Sequence, residues 1–232
     1  MIEAKDITYA YGKRRVLNGV CLWAGPGQCV GIAGANGCGK STLLGILAGA
    51  LRPRGGQCLF DGKDAFKDRK LFGRYVGYVP QENPLIEELT VLDNLRLWYG
   101  SRAQVKKAMD TGFLSVLGLA GFLKVPARQL SGGQKKRVSI GCAMAGEPPV
   151  LVMDEPGAAL DIVCKEEIRT YLKVYLEHRG TIIMATHEEG ELDMCSRLYA
   201  MGGGQLWEVS STLRGRALVD VFLAGPGAQA QG

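Results

Sequence analysis

With 232 residues, 47% of them hydrophobic, the chain is long enough for one large domain, or one domain with an inserted lobe, and can bury roughly 70–75% of its unfolded surface. A net charge of +5 is too mild to argue for nucleic acid, and seven cysteines without a C-x-x-C pair argue against a zinc cluster or a secreted disulfide framework, leaving reduced thiols as the plain expectation. No apolar run reaches the ~20 residues that span a bilayer, and the charged residues 1–6 lack the apolar core of a signal peptide.

Near the start, Ile7, Tyr9 and Tyr11 alternate with polar or small residues, and Val20, Leu22 and a Gly25-Pro26-Gly27 turn follow, which predicts a small antiparallel sheet. Tyr11 is either an ordinary strand aromatic or a ring placed to stack on a purine. Next, Cys29-Val30-Gly31-Ile32-Ala33 reads as a buried strand, and Leu43, Leu44, Ile46 and Leu47 mark a buried helix from Lys40. Between them residues 34–42, G-A-N-G-C-G-K-S-T, match the phosphate-binding pattern G-x-x-x-x-G-K-[ST]. Gly34, Gly37 and Gly39 let the backbone turn its N–H groups inward, Lys40 adds a mobile positive charge, and Ser41 offers a hydroxyl to Mg2+. Asn36, Cys38 and Thr42 complete the loop, which sits on a helix N-terminus where anions are favoured.

A turn at residues 52–56, a strand at 57–60 and the hairpin dipeptide Asp61-Gly62 come next. A further buried strand at 75–79 ends at Pro80-Gln81. Beyond it the texture becomes helical, with Thr90…Asp93 and Ser101…Gln104 spaced as capping boxes. The expected division is a catalytic lobe of residues 1–81 and 146–223, a helical lobe of 82–145 carrying most of the Lys/Arg excess, and a disordered tail at 224–232. That excess reads as a solvated basic face or as a surface toward anionic lipid or an acidic partner.

Within the helical lobe stands Leu130-Ser131-Gly132-Gly133-Gln134. Ser131 and Gln134 fit a capping box, but two glycines directly after the cap cost up to ~1 kcal/mol each in helix stability, so backbone access is their better use. A serine hydroxyl and bare N–H groups at a helix start make a second anion site. The strand Val150-Leu151-Val152-Met153 then discharges Asp154 and Glu155 at its carboxyl end, where open α/β sheets bind ligands. Asp154 is suited to reach Mg2+ through water and Glu155 to polarise an attacking water, if they are not merely solvated strand-end acids. Asp161 caps a helix whose apolar stripe, Ile168, Tyr171, Leu172, Tyr175 and Leu176, faces the core. A buried strand at 181–186 ends at His187, placed for a γ-phosphate contact.

In this order the motifs resemble those of ATP-binding cassette (ABC) proteins over residues 1–223. The resemblance makes residues 34–42 the Walker A loop, Gln81 the Q-loop, residues 130–134 the signature, residues 150–155 Walker B, Asp161 the D-loop and His187 the switch histidine. It implies an α/β P-loop core with an N-terminal antiparallel subdomain and an inserted helical subdomain. It also implies ATP and Mg2+ as ligands, with Lys40, Glu155 and His187 catalytic, Ser41, Gln81 and Asp154 at the metal, and Tyr11 under the adenine. ATP held by one subunit would be capped head to tail by Ser131, Gly132, Gly133 and Gln134 of a second ATP-binding subunit, hydrolysis reopening the pair. Separate transmembrane permease subunits would hold the chain on the cytoplasmic face of the membrane, with no nucleic-acid partner. Residues 89–95 followed by Trp98-Tyr99-Gly100 look like exporter cassettes of the multidrug or ABC-2 kind. The alternative is a soluble ABC ATPase of the iron–sulfur assembly, translation or DNA-repair type. One departure stands out: Gly157-Ala158-Ala159 lacks the hydroxyls the family usually places after Walker B, which puts coupling across the pair in question.

Overall fold

The computed structural model describes residues 1–226. Two antiparallel strands, β1 (Ile2–Tyr11) and β2 (Arg14–Ala24), lead into β3 (Cys29–Gly34) and α1 (Lys40–Leu47). After β4 (Gly55–Phe60), β5 (Lys63–Asp64), α2 (Lys70–Tyr75) and β6 (Val76–Val79) comes a helical stretch: α3 (Val91–Tyr99), α4 (Arg102–Thr111), three 3-10 turns and α5 (Gly132–Ala143). The chain then alternates β7 (Val150–Asp154), α6 (Ile162–Glu177), β8 (Thr181–Ala185) and α7 (Glu189–Leu192). A hairpin of β9 (Arg197–Gly202) and β10 (Gln205–Val209) and the helix α8 (Gly215–Ala224) follow.

One sheet has the order β2-β1-β4-β5 and is antiparallel; the other runs β10-β9-β3-β8-β7-β6 and is parallel except at β10. This is the α/β fold the sequence pattern predicts, with an antiparallel sheet before the parallel one and helices inserted between β6 and β7. The parallel sheet is covered on both faces, which is why β7 and β8 are wholly buried and apolar apart from Asp154 at the end of β7 and Thr181 at the start of β8. Their side chains divide by strand alternation. Val150, Val152 and Ile183 pack with Leu43, Leu44, Ile46 and Leu47 of α1 and with Ile2, Ile7 and Phe60 of the antiparallel sheet. Leu151, Met153, Ile182 and Met184 pack with Ile168, Tyr171 and Leu172 of α6 and with Leu95 and Val138 of the helical stretch. Each such Leu or Ile contributes about 1.5–3 kcal/mol on burial.

Several local expectations gain detail. Asp61 and Gly62 take φ of 48° and 80°, the conformation a tight hairpin between β4 and β5 demands. Only Ser131…Gln134 closes a full capping box; Thr90 accepts from the Asp93 N–H and Ser101 from the Gln104 N–H, but their own hydroxyls turn to the Asp93 and Gln104 side chains, so neither N-cap amide is reached. The Lys/Arg excess of residues 82–145 is not an open basic face throughout: Lys135 pairs with Glu87, Arg137 with Glu167 and Arg96 with Asp93, while Lys136 is buried. α8 extends order through Ala224, where a disordered tail was expected to begin; residues 227–232 of that expected tail lie outside the described residues.

The joint between sheet and helical stretch depends on close backbone approach. A Cβ on Gly77 of β6 would stand 2.3 Å from the Ala143 carbonyl oxygen at the end of α5. Gly77→Ala should therefore cost about 1–3 kcal/mol, since backbone and not a flexible side chain must give way. Urea unfolding tests this; an unchanged midpoint would contradict the tight joint.

Candidate functional site

The carboxyl ends of β3, β6, β7 and β8 lie along one edge of the parallel sheet, and the groups singled out by the sequence collect there. α1 starts directly from the glycine-rich loop, at Gly39, whose φ of 116° only glycine adopts readily and whose Cβ would crowd Leu17, Val16 and Met201. Lys40 is 8% exposed, and its ammonium donates to the carbonyls of Gly34 (2.8 Å) and Ala35 (3.3 Å), so the cation lies beneath the loop that carries it. The Ser41 hydroxyl stands close enough to Asp154 to act against the rise of its pKa, so the loop and the end of β7 meet there. Asp154 is 3% exposed, and burial pushes its carboxyl above the usual range, with the Glu155 charge adding to the rise; the Ser41 hydroxyl and the Lys40 and Lys136 charges act in the opposite direction.

Glu155 leaves the strand in a left-handed conformation, φ 46°, and its N–H still bonds the Ala185 oxygen at 2.9 Å, which carries the ladder one residue beyond β7. Such a conformation costs a non-glycine residue on the order of 1 kcal/mol and turns the Glu155 side chain away from that of Asp154. Gln81 Nε2 donates to Glu155 Oε2 at 3.3 Å, and His187 Nδ1 lies 3.8 Å from Glu155 Oε1, with the His187 side chain 70% exposed. Three neighbouring strands thus bring an amide, a carboxylate and an imidazole to one point.

Beside them opens a cavity of about 420 Å3, which Gln81 and Glu155 line while Asp154 and His187 do not. Asn36, Gly37, Gly39, Lys40, Ser41 and Thr42 line its floor, Gln81 and Glu155 one wall, and Tyr11, Arg14 and Val16 of the β1–β2 hairpin the other. Tyr11 is half exposed and meets Tyr9 edge-on at 4.9 Å, leaving ring surface free at the mouth. Arg14 pairs with Tyr11 across the hairpin; neither it nor Val16 carries a motif, and only the hairpin register places them. Hard oxygen donors from Ser41, Asp154 and Gln81 beside a phosphate loop suit Mg2+, which takes one or two protein ligands plus phosphate oxygens and water. The buried Asp154 carboxylate, with no full counter-charge at hydrogen-bond distance, is the observation that fits a cation there.

The signature residues stand elsewhere. Ser131 and Gly132 are exposed at the start of α5, Gly133 and Gln134 follow, and none lines the cavity. Asp161 caps α6 by accepting from the Cys164 N–H at 2.9 Å, and it too lies off the cavity. Two further residues escaped the motifs. Buried Lys136 donates to the carbonyls of Pro80 and Gln81, and buried Glu191 accepts from the Thr186 hydroxyl and the Gly157 N–H. Lys136 follows Gly133 by three residues and precedes Ile140 by four, so its place on the buried face of α5 was written in the spacing, though hidden in a Lys-Lys-Arg run. Glu191 explains the departure at Gly157: a Cβ there would stand 2.5 Å from Glu191 Oε1.

A family model described as ABC transporter matches residues 17–158. The chain is 36% identical over 218 residues to the spermidine/putrescine import ATP-binding protein PotA of Spiroplasma citri, covering 91% of this chain and 61% of that one. It is 35% identical over 219 residues to the sulfate/thiosulfate import ATP-binding protein CysA of Bordetella bronchiseptica, covering 90% and 62%. It therefore spans about three fifths of the length of these curated relatives. The solved dimeric, post-hydrolysis structure of the ATP-binding cassette MJ0796 bound to ADP and Pi superposes with a TM-score of 0.78 at 30% identity, over 90% of this chain and 98% of that one.

The raised pKa of Asp154 has a testable sign. A carboxyl whose folded pKa exceeds its unfolded value destabilises the fold while ionised, and that cost vanishes as pH falls through the raised pKa. Asp154→Asn should thus raise the nucleotide-free Tm at pH 7, by about 2–4 °C if the cost is ~1 kcal/mol, with the margin closing on acidification. Thermal unfolding of both forms across pH checks this; a lower Tm at pH 7, or a margin that widens in acid, would contradict it.

Proposed function

The chain belongs to the ABC transporter family, and from that premise we propose that it is the ATP-binding and ATP-hydrolysing subunit that powers a membrane transporter, working head to tail with a second ATP-binding subunit. The observation that carries this reading is the separation of the two anion-binding elements: the phosphate loop lines the cavity, while Ser131 and Gly132 are exposed and take no part in its lining. One chain offers a floor and walls for a nucleotide but no cap over the γ-phosphate, and a second copy turned head to tail supplies one. The dimeric state of the cassette bound to ADP and Pi supports the same arrangement.

In this reading the adenine stacks on Tyr11 and the phosphates lie on the N–H groups of residues 34–42, with Lys40 leaving the Gly34 and Ala35 carbonyls for phosphate oxygens. Ser41, Asp154 and Gln81 would hold Mg2+, which would neutralise charge on the phosphates. Glu155 takes the proton of the attacking water as general base, held by Gln81 on one side and facing His187 on the other, and His187 senses the γ-phosphate. Domain organisation follows the same reading, with residues 82–145 the helical lobe that carries the signature. Among the described residues no helix is long and apolar enough to cross a membrane; in the same reading a permease subunit links the chain to the membrane at its cytoplasmic face. The export direction expected from residues 89–100 has no support among the curated relatives named above; both are import proteins, which favours uptake. The same relatives favour transport over the soluble ABC ATPases.

Glu155→Gln tests the reading directly. It should retain ATP binding, lose turnover by at least about 100-fold, as expected for removal of a general base, and accumulate an ATP-bound dimer visible by light scattering. Unchanged hydrolysis, or a monomer at saturating ATP, would contradict it. Lys40→Ala should abolish ATP binding, and an unaltered Kd would remove the phosphate loop from its role.

A further inference from the structure

Lys136 is a cation carried into the protein interior. It is 2% exposed, and its ammonium donates to the Pro80 oxygen at 3.2 Å and the Gln81 oxygen at 3.0 Å. Burial lowers its pKa, while the Asp154 and Glu191 charges draw it back up. An apolar side chain of similar length would fill this place without the desolvation cost, so packing alone does not explain a lysine here.

What the ammonium reaches is informative. Pro80 and Gln81 are the residues at which the chain leaves β6. With both carbonyls held, the Gln81 side chain extends to Glu155, Nε2 to Oε2 at 3.3 Å. α5 is fixed at its N-terminal end by the capping box, Ser131 N–H to Gln134 Oε1 at 2.9 Å and Gln134 N–H to Ser131 Oγ at 3.3 Å. Little more than one helical turn separates that box from Lys136. A continuous line therefore runs from the signature, through the first turns of α5, to Lys136, to Gln81 and to the carboxylate at the end of β7.

We propose that Lys136 is a positioning residue that ties the signature end of α5 to the general base of the same chain, so that capture of ATP by the signature in one composite site sets Gln81 and Glu155 in the other. The inference rests on the reading above, in which the signature closes on nucleotide held by a second copy. Each chain then contributes its signature to one site and its base to the other, and Lys136 joins the two. ATP turnover should be cooperative, and cooperativity should pass through this side chain.

The test compares Lys136→Met, Gln81→Ala and the double variant in full-chain ATPase assays, with ATP binding and thermal unfolding measured in parallel. Lys136→Met should keep its ATP Kd within about twofold, lose kcat by about tenfold, and drop its Hill coefficient from above 1 in the unmodified chain to about 1. Lys136→Met added to Gln81→Ala should cost little more, since Lys136 acts through Gln81. Lys136→Arg, which keeps a cation and donors, should recover most of the kcat and the cooperativity. If Lys136→Met does not fold, Lys136→Gln carries the test: with one neutral donor group it should show an intermediate Hill coefficient, and a wild-type value overturns the proposal. Losses from Lys136→Met and Gln81→Ala that multiply also overturn it. An unmodified chain that neither hydrolyses ATP nor pairs on it overturns the underlying reading; one that does both while Lys136→Met matches its kcat and Hill coefficient overturns the role of Lys136 alone.

Discussion

The hydrogen-bonded ladder that joins β6, β7 and β8 in parallel register decides where Gln81, Asp154, Glu155 and His187 stand. Val79 pairs with Met153, Asp154 with Ala185, and the ladder continues through the Glu155 N–H to the Ala185 oxygen, so the three strands end at nearly the same level. Because they run the same way, their next residues, Gln81, Asp154 with Glu155, and His187, emerge on one edge. An antiparallel arrangement would scatter them. The ladder is worth this placement only because both faces are sealed by α1 on one side and by α6 and the helical stretch on the other, which keeps water from competing for the strand hydrogen bonds.

Charge is handled on the same principle of close but incomplete compensation. Asp154 is buried with the Ser41 hydroxyl and the fields of Lys40 and Lys136 around it, and its carboxyl is still pushed up. Lys40 is satisfied by the Gly34 and Ala35 carbonyls of its own loop. Glu191 is likewise buried, with its carboxyl pushed up by burial and held by Thr186 and the Gly157 N–H; it braces the turn after Glu155 against the strand end that bears His187. These groups hold the site open to a charged ligand, at some expense of stability in its absence.

Much of this was legible in the sequence because it rests on short, strong local signals. The phosphate loop lies between an apolar strand and an apolar helix, and β7 and β8 are unbroken apolar runs ending in Asp154-Glu155 and His187. Weaker signals failed where a pattern was too short or tertiary contact decided. α2 spans six residues with Gly73 inside it, too few for a helical period to show, and α8 lies just before a Gly/Ala/Gln stretch that reads as disordered. Lys136 is masked by the Lys-Lys-Arg run around it, and Glu191 looks like a surface charge until α7 packs it against Thr186 and Gly157. Arg14 and Val16 reach the cavity through the register of a hairpin that composition does not specify. The exporter resemblance read from residues 89–100 was the weakest signal, and the curated relatives, both import proteins, do not support it.

The central claim is that each nucleotide site is built from two copies, and mixing two dead variants tests it most directly. Lys40→Ala removes the phosphate loop and Ser131→Arg blocks the signature, so neither should hydrolyse ATP alone. Mixed in equal amounts they should regain up to about a quarter of the unmodified rate, because half of randomly formed pairs are mixed and each mixed pair holds one whole site. A mixture as inactive as its parts, or a Ser131→Arg chain that turns over ATP unaided, would contradict the composite site.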